Sequence, residues 1–544
     1  MKYPMHALSA AVMLAMGAAA QAAPYALTAV ASANPKVPGM VQPNALSKEL
    51  AQHVAATGAM ALENGSALTK LYGYNDNGPL IPLATAPGTE ASKTEPDKNT
   101  YLVFTGQHGA DANYDYGTHF VFQGHETGTS GYITRVNLDA DPAHRITLLA
   151  DQDVNGLPLP TFDGSTWYPF SGKLLFTAEG SLGGGVWQAD ADYTGTSTAE
   201  GLTGILGQGG YEGIQADSDG NLWIVEDAGG SSGTANPHAK QPNSFVFRFV
   251  PADKTNLKAG GVLQALQVVN AGHPVVFHPG QKDEDIKSFD MLALHTYGNV
   301  FKTRWITVHN TATDGTAPFN ANAAAKLAGA TPFKRPENGV FQPGTGFKHF
   351  YFTETGDTNQ LTEAGENYGG FGGLFVLSQP DGPSANTGRL KLFYRGNAAH
   401  TGLDNIAFLT KTQVVAVEDA GDTLHAQRNA LDSAYVFDTT VDYGTGADPV
   451  RVIAEGRDAS ATLDSAANDG KSQGIAAFAA FQNEGDNEIT GIHVSDGDPD
   501  VDGILGVKPP LPFRQGWRFF WTQQHGDNTL WEVEPARPVA AYVK

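Results

Sequence analysis

Carboxylates recur at the ends of β-rich runs along this chain, a pattern suited to binding hard cations. Phe122-Gln123-Gly124-His125-Glu126, Phe176-Thr177-Ala178-Glu179-Gly180 and Trp223-Ile224-Val225-Glu226-Asp227 all end in or near acids. Tyr351-Phe352-Thr353-Glu354-Thr355-Gly356-Asp357 and Val417-Glu418-Asp419-Ala420-Gly421-Asp422 repeat the pattern, and Trp521-Thr522-Gln523-Gln524-His525-Gly526-Asp527 is a weaker version. A second acid precedes three of these runs, in Glu212-Gly213-Ile214, Glu337-Asn338-Gly339-Val340 and Asp404-Asn405-Ile406. Turn signals lie in between, such as Asp217-Ser218-Asp219-Gly220-Asn221 and Pro343-Gly344-Thr345-Gly346. A strand, a tight turn and a returning strand form an antiparallel hairpin, whose first residue faces its last. Leading and trailing acids therefore converge at one end of each hairpin. Any single Glu is adequately explained as a solvated strand end; the repeated pairing is what argues for a shared site.

Converging carboxylates repel and raise one another's pKa unless cations lie between them. The chain has no cysteine, so thiolate ligands and disulfides are both excluded. Oxygen donors then select Ca²⁺, Mg²⁺ or Mn²⁺. Arg335, in Lys334-Arg335-Pro336-Glu337, stands two residues before a predicted ligand. It can fork onto an anion held by the cations, or pair with a neighbouring Glu. His125, His400 and His525 lie beside the motifs as candidate ligands or proton carriers, although lone histidines are more often structural. Asp496-Gly497-Asp498-Pro499-Asp500-Val501-Asp502-Gly503 resembles the start of a calcium loop but lacks its closing bidentate Glu. No P-loop or H-E-x-x-H helix is present.

The elements that must position these acids are short strands. Glycine is abundant (64 of 544 residues) and helical periodicity is scarce, which favours an all-β repeat architecture. Six acid-ended units predict a six-bladed β-propeller with inter-blade insertions, with a sandwich as the second choice. Residues 320–330 (NANAAAKLAGA) predict a short helical insertion, residues 47–64 a further helix, and residues 85–99 an exposed connection. The expected division is a signal peptide at 1–22, an N-terminal extension at 23–95, the propeller at 96–535 and a tail at 536–544. Lys2, the apolar run Ala7 to Ala20 and Ala20-Gln21-Ala22 read as an export signal, so a periplasmic or secreted product is expected. A net charge of −23 argues against nucleic-acid binding, and no later stretch is apolar enough to span a membrane.

Several motifs occur together in a recognisable order. They are His125-Glu126, Thr177-Ala178-Glu179, Tyr211-Glu212-Gly213, Arg335-Pro336-Glu337, Leu403-Asp404-Asn405 with Glu418-Asp419, and Glu488-Ile489-Thr490-Gly491 followed by Gln523-Gln524-His525-Gly526. From about Thr100 to Trp531 the chain resembles the PhoX-type alkaline phosphatase family. The resemblance implies a six-bladed propeller that hydrolyses phosphate monoesters at a central cluster of ferric iron and calcium. It would make Glu212 and Glu488 iron-type ligands, and Glu337, Asp404, Asn405, Glu418 and Asp419 calcium-type ligands. Glu126 and Glu179 would be further ligands, and Arg335 the phosphate-binding catalytic residue. The family's iron-ligating Cys is replaced here by Ala178, and the twin-arginine export signal typical of iron-bearing members is missing. Both departures favour Ca²⁺ and count against iron. The expected function is a metal-dependent phosphoesterase acting on a small phosphate ester. A calcium-dependent lactonase or esterase with His125 or His525 as base, or a calcium-stabilised binding protein, are the alternatives.

Overall fold

Runs of β-branched and aromatic residues, punctuated by Gly and Asp turns, fold into antiparallel meanders in a propeller-like arrangement. The structure, a computed structural model, describes residues 25–36, 42–58, 60–67, 69–75, 92–126, 131–180, 184–195, 198–456, 488–524 and 528–537. The expected signal peptide and His525 lie outside the described residues.

The first meander comprises Glu95–Val103, His119–Glu126, Tyr132–Asn137 and Ile146–Ala150. The second comprises Phe162–Tyr168, Lys173–Ala178, Gly185–Ala189 and Thr198–Gly201, and the third Tyr211–Ala216, Leu222–Glu226, Val246–Pro251 and Gly261–Asn270. Gly339–Phe341, His349–Glu354, Gly373–Ser378 and Thr387–Arg395 make the fourth. Leu403–Phe408, Gln413–Glu418, Ser433–Asp438 and Val450–Ala454 make the fifth. The last consists of Glu488–Ser495, Arg518–Gln524 and Thr529–Pro535, completed by Leu50–Ala56 from the other end of the chain. The first strands of successive meanders neighbour one another, and the strand of the last meander returns to that of the first. These inner strands therefore form a closed ring, and whatever they carry at one end meets around the axis. Phe301–Asn310 pairs with both Gly261–Asn270 and Thr387–Arg395, fusing the third and fourth meanders into one sheet.

Apolar packing lies between sheets and leaves the axis free for polar groups. Tyr351 meets Phe408 edge-on at 5.6 Å between the fourth and fifth meanders, and Tyr101 meets Phe520 at 5.4 Å between the first and last. Each such buried ring contributes roughly 2–3 kcal/mol through its area.

The expected short helix is present as Ala321–Ala328. Asn320 accepts from the Ala323 N–H at 2.7 Å, and Gly329 closes the helix with a φ of 76° that suits glycine. The helix expected within residues 47–64 is instead the strand Leu50–Ala56. Its Ala- and Leu-rich sequence favours a helix locally, but Thr529–Pro535 would otherwise be an exposed edge, and pairing with it decides the outcome. Tyr25 also binds Gln413, and Ala45–Leu46 pairs with Val450–Ala454, so the segment before residue 96 is built into the sheets. The connection expected at residues 85–99 likewise ends in a strand, Glu95–Val103, with Asp97, Lys98 and Asn99 buried. That polar run looked solvated, but its side chains face the axis and find partners there.

Candidate metal centre

The inner strands begin in an unusual way. Their pairing with the second strand slips between Pro96 and Asn99, Phe162 and Ser165, Tyr211 and Ile214, Leu403 and Ile406, and Thr490 and His493. A β-bulge re-aims the side chain it contains. Asp97, Asp163, Glu212 and Asp404 occupy four of these slips. Glu337 stands two residues before Gly339–Phe341, and Glu488 opens Glu488–Ser495. Each inner strand thus brings one acid to the same end of the ring.

These acids converge. Oxygens of Asp97, Glu126 and Asp163 lie within 4.8 Å of one another, and so do those of Asp97, Asp404 and Glu488. Asp163 groups in the same way with Glu179 and Glu212, and Glu212 with Asp227 and Glu337. Because the groups share members, they form one continuous acidic cluster. Of the expected ligands it brings together Glu126, Glu179, Glu212, Glu337, Asp404 and Glu488. Asp419 borders it, close enough to act electrostatically on both Asp404 and Arg335.

Glu418 is a correction. Its oxygens take Arg428 Nη1 at 2.9 Å and the Thr401 N–H at 3.2 Å, and it stands outside the convergent groups. Consecutive strand residues point to opposite faces, so only one of two adjacent acids can face the axis. Glu226 and Asp227 split in the same manner: Asp227 joins the cluster, while Glu226 accepts from Asn322 and the Phe245 N–H. Burial pushes the Glu226 carboxyl up to about 8. Glu354 likewise turns to His295 Nε2, at 2.9 Å. In the third and fifth hairpins the acid that follows the trailing Glu, Asp227 or Asp419, is the one nearer the cluster, whereas Glu126 and Glu179 join it themselves.

Asn405, expected as a ligand, holds ligands in place through its amide. Nδ2 donates to Asp97 Oδ1 at 3.0 Å, Asp404 Oδ1 at 3.1 Å and Thr490 Oγ1 at 3.0 Å, while buried Oδ1 has no hydrogen-bond partner. Gln524 Nε2 adds a bond to Asp97 Oδ2 at 3.2 Å, and Thr355 Oγ1 donates to Glu337 Oε1 at 2.5 Å. Asp163 Oδ1 and Asp227 Oδ1 are buried and accept no hydrogen bond.

Burial pushes the carboxyls of Asp163, Glu212, Glu337 and Asp404 well above the usual carboxylate range. Neighbouring charge pushes in the same direction: Asp97 acts on Asp163 and Asp404, Asp163 on Glu212, and Asp227 on Glu337. Such a cluster either retains protons or binds cations. The orphaned buried oxygens and the all-oxygen donor set fit hard divalent cations. Ala178 is buried opposite Phe162.

Two cations face these acids. Arg335 Nε donates to Asp227 Oδ2 at 2.8 Å, and Nη2 lies 2.6 Å from the same oxygen and 3.5 Å from Glu337. Burial opposes its charge, but Asp227 and Glu337 outweigh that effect and hold it protonated well above the usual guanidinium value. Arg335 adopts a left-handed φ of 59°, a conformation that surrounding structure must enforce in a residue other than glycine. Its side chain is 18% exposed. The second cation, Lys98, was not anticipated. It is buried among Asp97, Asp404 and Asp163, and burial draws it down to about 8 against their opposing pull.

The sequence-selected histidines have other tasks. His125 places Nδ1 on Thr94 and Nε2 on Thr134, and burial holds it neutral far below the usual imidazole range. His400 hydrogen-bonds to the Tyr394 hydroxyl. The calcium loop expected at Asp496 is closed by an ammonium group, with Lys508 Nζ 2.5 Å from Asp496 and 3.0 Å from Asp498.

Asp97 and Asp163 also escaped the sequence reading, and Asp227 was named only as the end of its acid-ended run. Phe162-Asp163-Gly164-Ser165 precedes its acid-ended strand as Glu212-Gly213-Ile214 does, so the repeat itself carried the signal.

Among known proteins, residues 238–499 match the family model described as alkaline phosphatase PhoX. None of the curated proteins matches the chain. In three dimensions it is similar to Pseudomonas fluorescens PhoX in complex with vanadate, a transition state analogue, with 12% identity and a TM-score of 0.54. That similarity covers 94% of this chain and 98% of the other, and it supports the propeller fold. A gluconolactonase from Xanthomonas campestris follows at 11% identity, covering 93% and 100% of the two chains; its TM-score of 0.33 carries no argument.

Proposed function

We propose, from the match of residues 238–499 to the alkaline phosphatase PhoX family model, that this chain is an exported, calcium-dependent phosphoesterase acting on small phosphate esters at the axial acid cluster. The observation that carries this reading is the set of buried, unpartnered carboxylate oxygens, Asp163 Oδ1 and Asp227 Oδ1, within convergent acids beside Arg335. When bound, divalent cations would polarise phosphoryl oxygens and neutralise the charge of the ester. Asp97, Glu126, Asp163, Glu179, Glu212, Asp227, Glu337, Asp404 and Glu488 would hold them, with Asp419 at the border. Asn405, Gln524 and Thr355 fix the orientation of Asp97, Asp404 and Glu337 through their hydrogen bonds. Arg335, clamped by Asp227 and Glu337, keeps a fixed positive charge where negative charge develops on the transferring phosphoryl group. Export is proposed from the sequence of residues 1–22, and no helix among the described residues is long and apolar enough to cross a membrane.

The lactonase alternative loses one of its two candidate bases, His125, whose two nitrogens are committed to threonine hydroxyls; the other, His525, lies outside the described residues. Purified protein should hydrolyse p-nitrophenyl phosphate in the presence of Ca²⁺. A phosphoester panel that stays silent with calcium fully loaded would leave the calcium-stabilised binding protein as the better account. Arg335→Lys should lower kcat/KM for p-nitrophenyl phosphate by about 10²-fold, because an ammonium cannot reproduce the fork. Calcium content should stay unchanged in that variant; equal kcat/KM in the two proteins would remove Arg335 from the mechanism.

A further inference from the structure

Lys98 immediately follows Asp97 in the slipped start of its inner strand, and its side chain enters the axis of the ring. Its ammonium donates to Asn338 Oδ1, whose residue precedes the inner strand of the fourth meander, on the far side of the ring. Only 2% of the residue is exposed. Asp97, Asp404 and Asp163 are the charges that act on it, yet it forms no ion pair within 4.0 Å among the described residues. An amide rather than a single carboxylate holds it, so its charge is shared among acids from three meanders. It also borders two small cavities farther along the inner strands, lined as well by Gln215 and His493. A buried ammonium with a neutral anchor and several surrounding carboxylates is disposed much like a bound ion.

We propose that Lys98 is a tethered internal cation that takes the place of one inorganic ion on the inner side of the acid cluster. Inorganic ions are then confined to the side on which Arg335 lies. Lys98 is a positioning residue: it sets how many ions the acids collect and where they sit. The proposal rests on the cluster being a metal centre, as read above.

Calcium titration calorimetry on chelator-stripped protein tests it. Lys98→Met, which keeps the length and loses the charge, should bind one more Ca²⁺ per chain, or bind the weakest Ca²⁺ at least about tenfold more tightly. Lys98→Arg, which keeps the charge, should titrate like the parent. Identical titrations of Lys98→Met and the parent would overturn the proposal. A parent that takes up no calcium would overturn the metal-centre reading and this proposal with it, so the parent trace separates the two failures. Folding is followed by circular dichroism: a Lys98→Met chain that folds only with calcium supports the exchange of ammonium for ion. A chain that stays unfolded in saturating calcium shows a requirement for lysine that no ion meets, and contradicts it.

Discussion

Asp97→Asn should lower kcat/KM for phosphate monoesters on the order of 10³-fold and reduce calcium affinity at least about 10²-fold. Asp97 is the residue shared by the Glu126–Asp163 and Asp404–Glu488 groups, so its loss affects two ion positions at once. The Asn side chain preserves shape and can still meet Gln524, and the fold should survive because the strand pairing on either side of residue 97 is backbone-mediated. Steady-state kinetics with parallel calcium titration check this. Turnover within tenfold of the parent, with unchanged calcium binding, would remove Asp97 from the site.

Chelation should destabilise the protein, and more severely at alkaline pH. Asp163, Glu212, Glu337 and Asp404 have folded-state pKa values raised by burial and by one another. Such groups support the metal-free fold while they hold protons. Their contribution is complete below the unfolded value of about 4 and is lost as pH rises through the folded values. The melting temperature of chelated protein should therefore fall by several degrees between about pH 5 and pH 9. Added Ca²⁺ should restore it most at the alkaline end, by roughly 4 kcal/mol per site at a thousandfold excess over Kd. A chelated protein whose melting temperature is flat across this range would show that the carboxyls are not strained by one another.

The β class, the hairpins and the convergence of acids were legible because turn chemistry and short apolar runs are local signals. Glu212, Glu337 and Asp404 could be placed for the same reason. Glu418 was misassigned because a strand reverses its facing at every residue, and no local pattern says which of Glu418 and Asp419 faces inward. Asp97 and Lys98 sit in a polar run that resembles a loop; only closure of the ring gives such a run a buried axis to face. The strand at Leu50–Ala56 was hidden for a related reason, since its partner lies at the other end of the chain. His125 shows the converse error: proximity to a motif in sequence suggested chemistry, while its ring is buried against Tyr132 at 4.2 Å.

Elemental analysis of protein purified without added metal tests the account most directly. More than one calcium per chain with at most trace iron, lost on chelation together with activity, is the result predicted for an oxygen-only cluster lacking the thiolate. Metal-free protein that remains fully active, or iron at one or two atoms per chain, would contradict it.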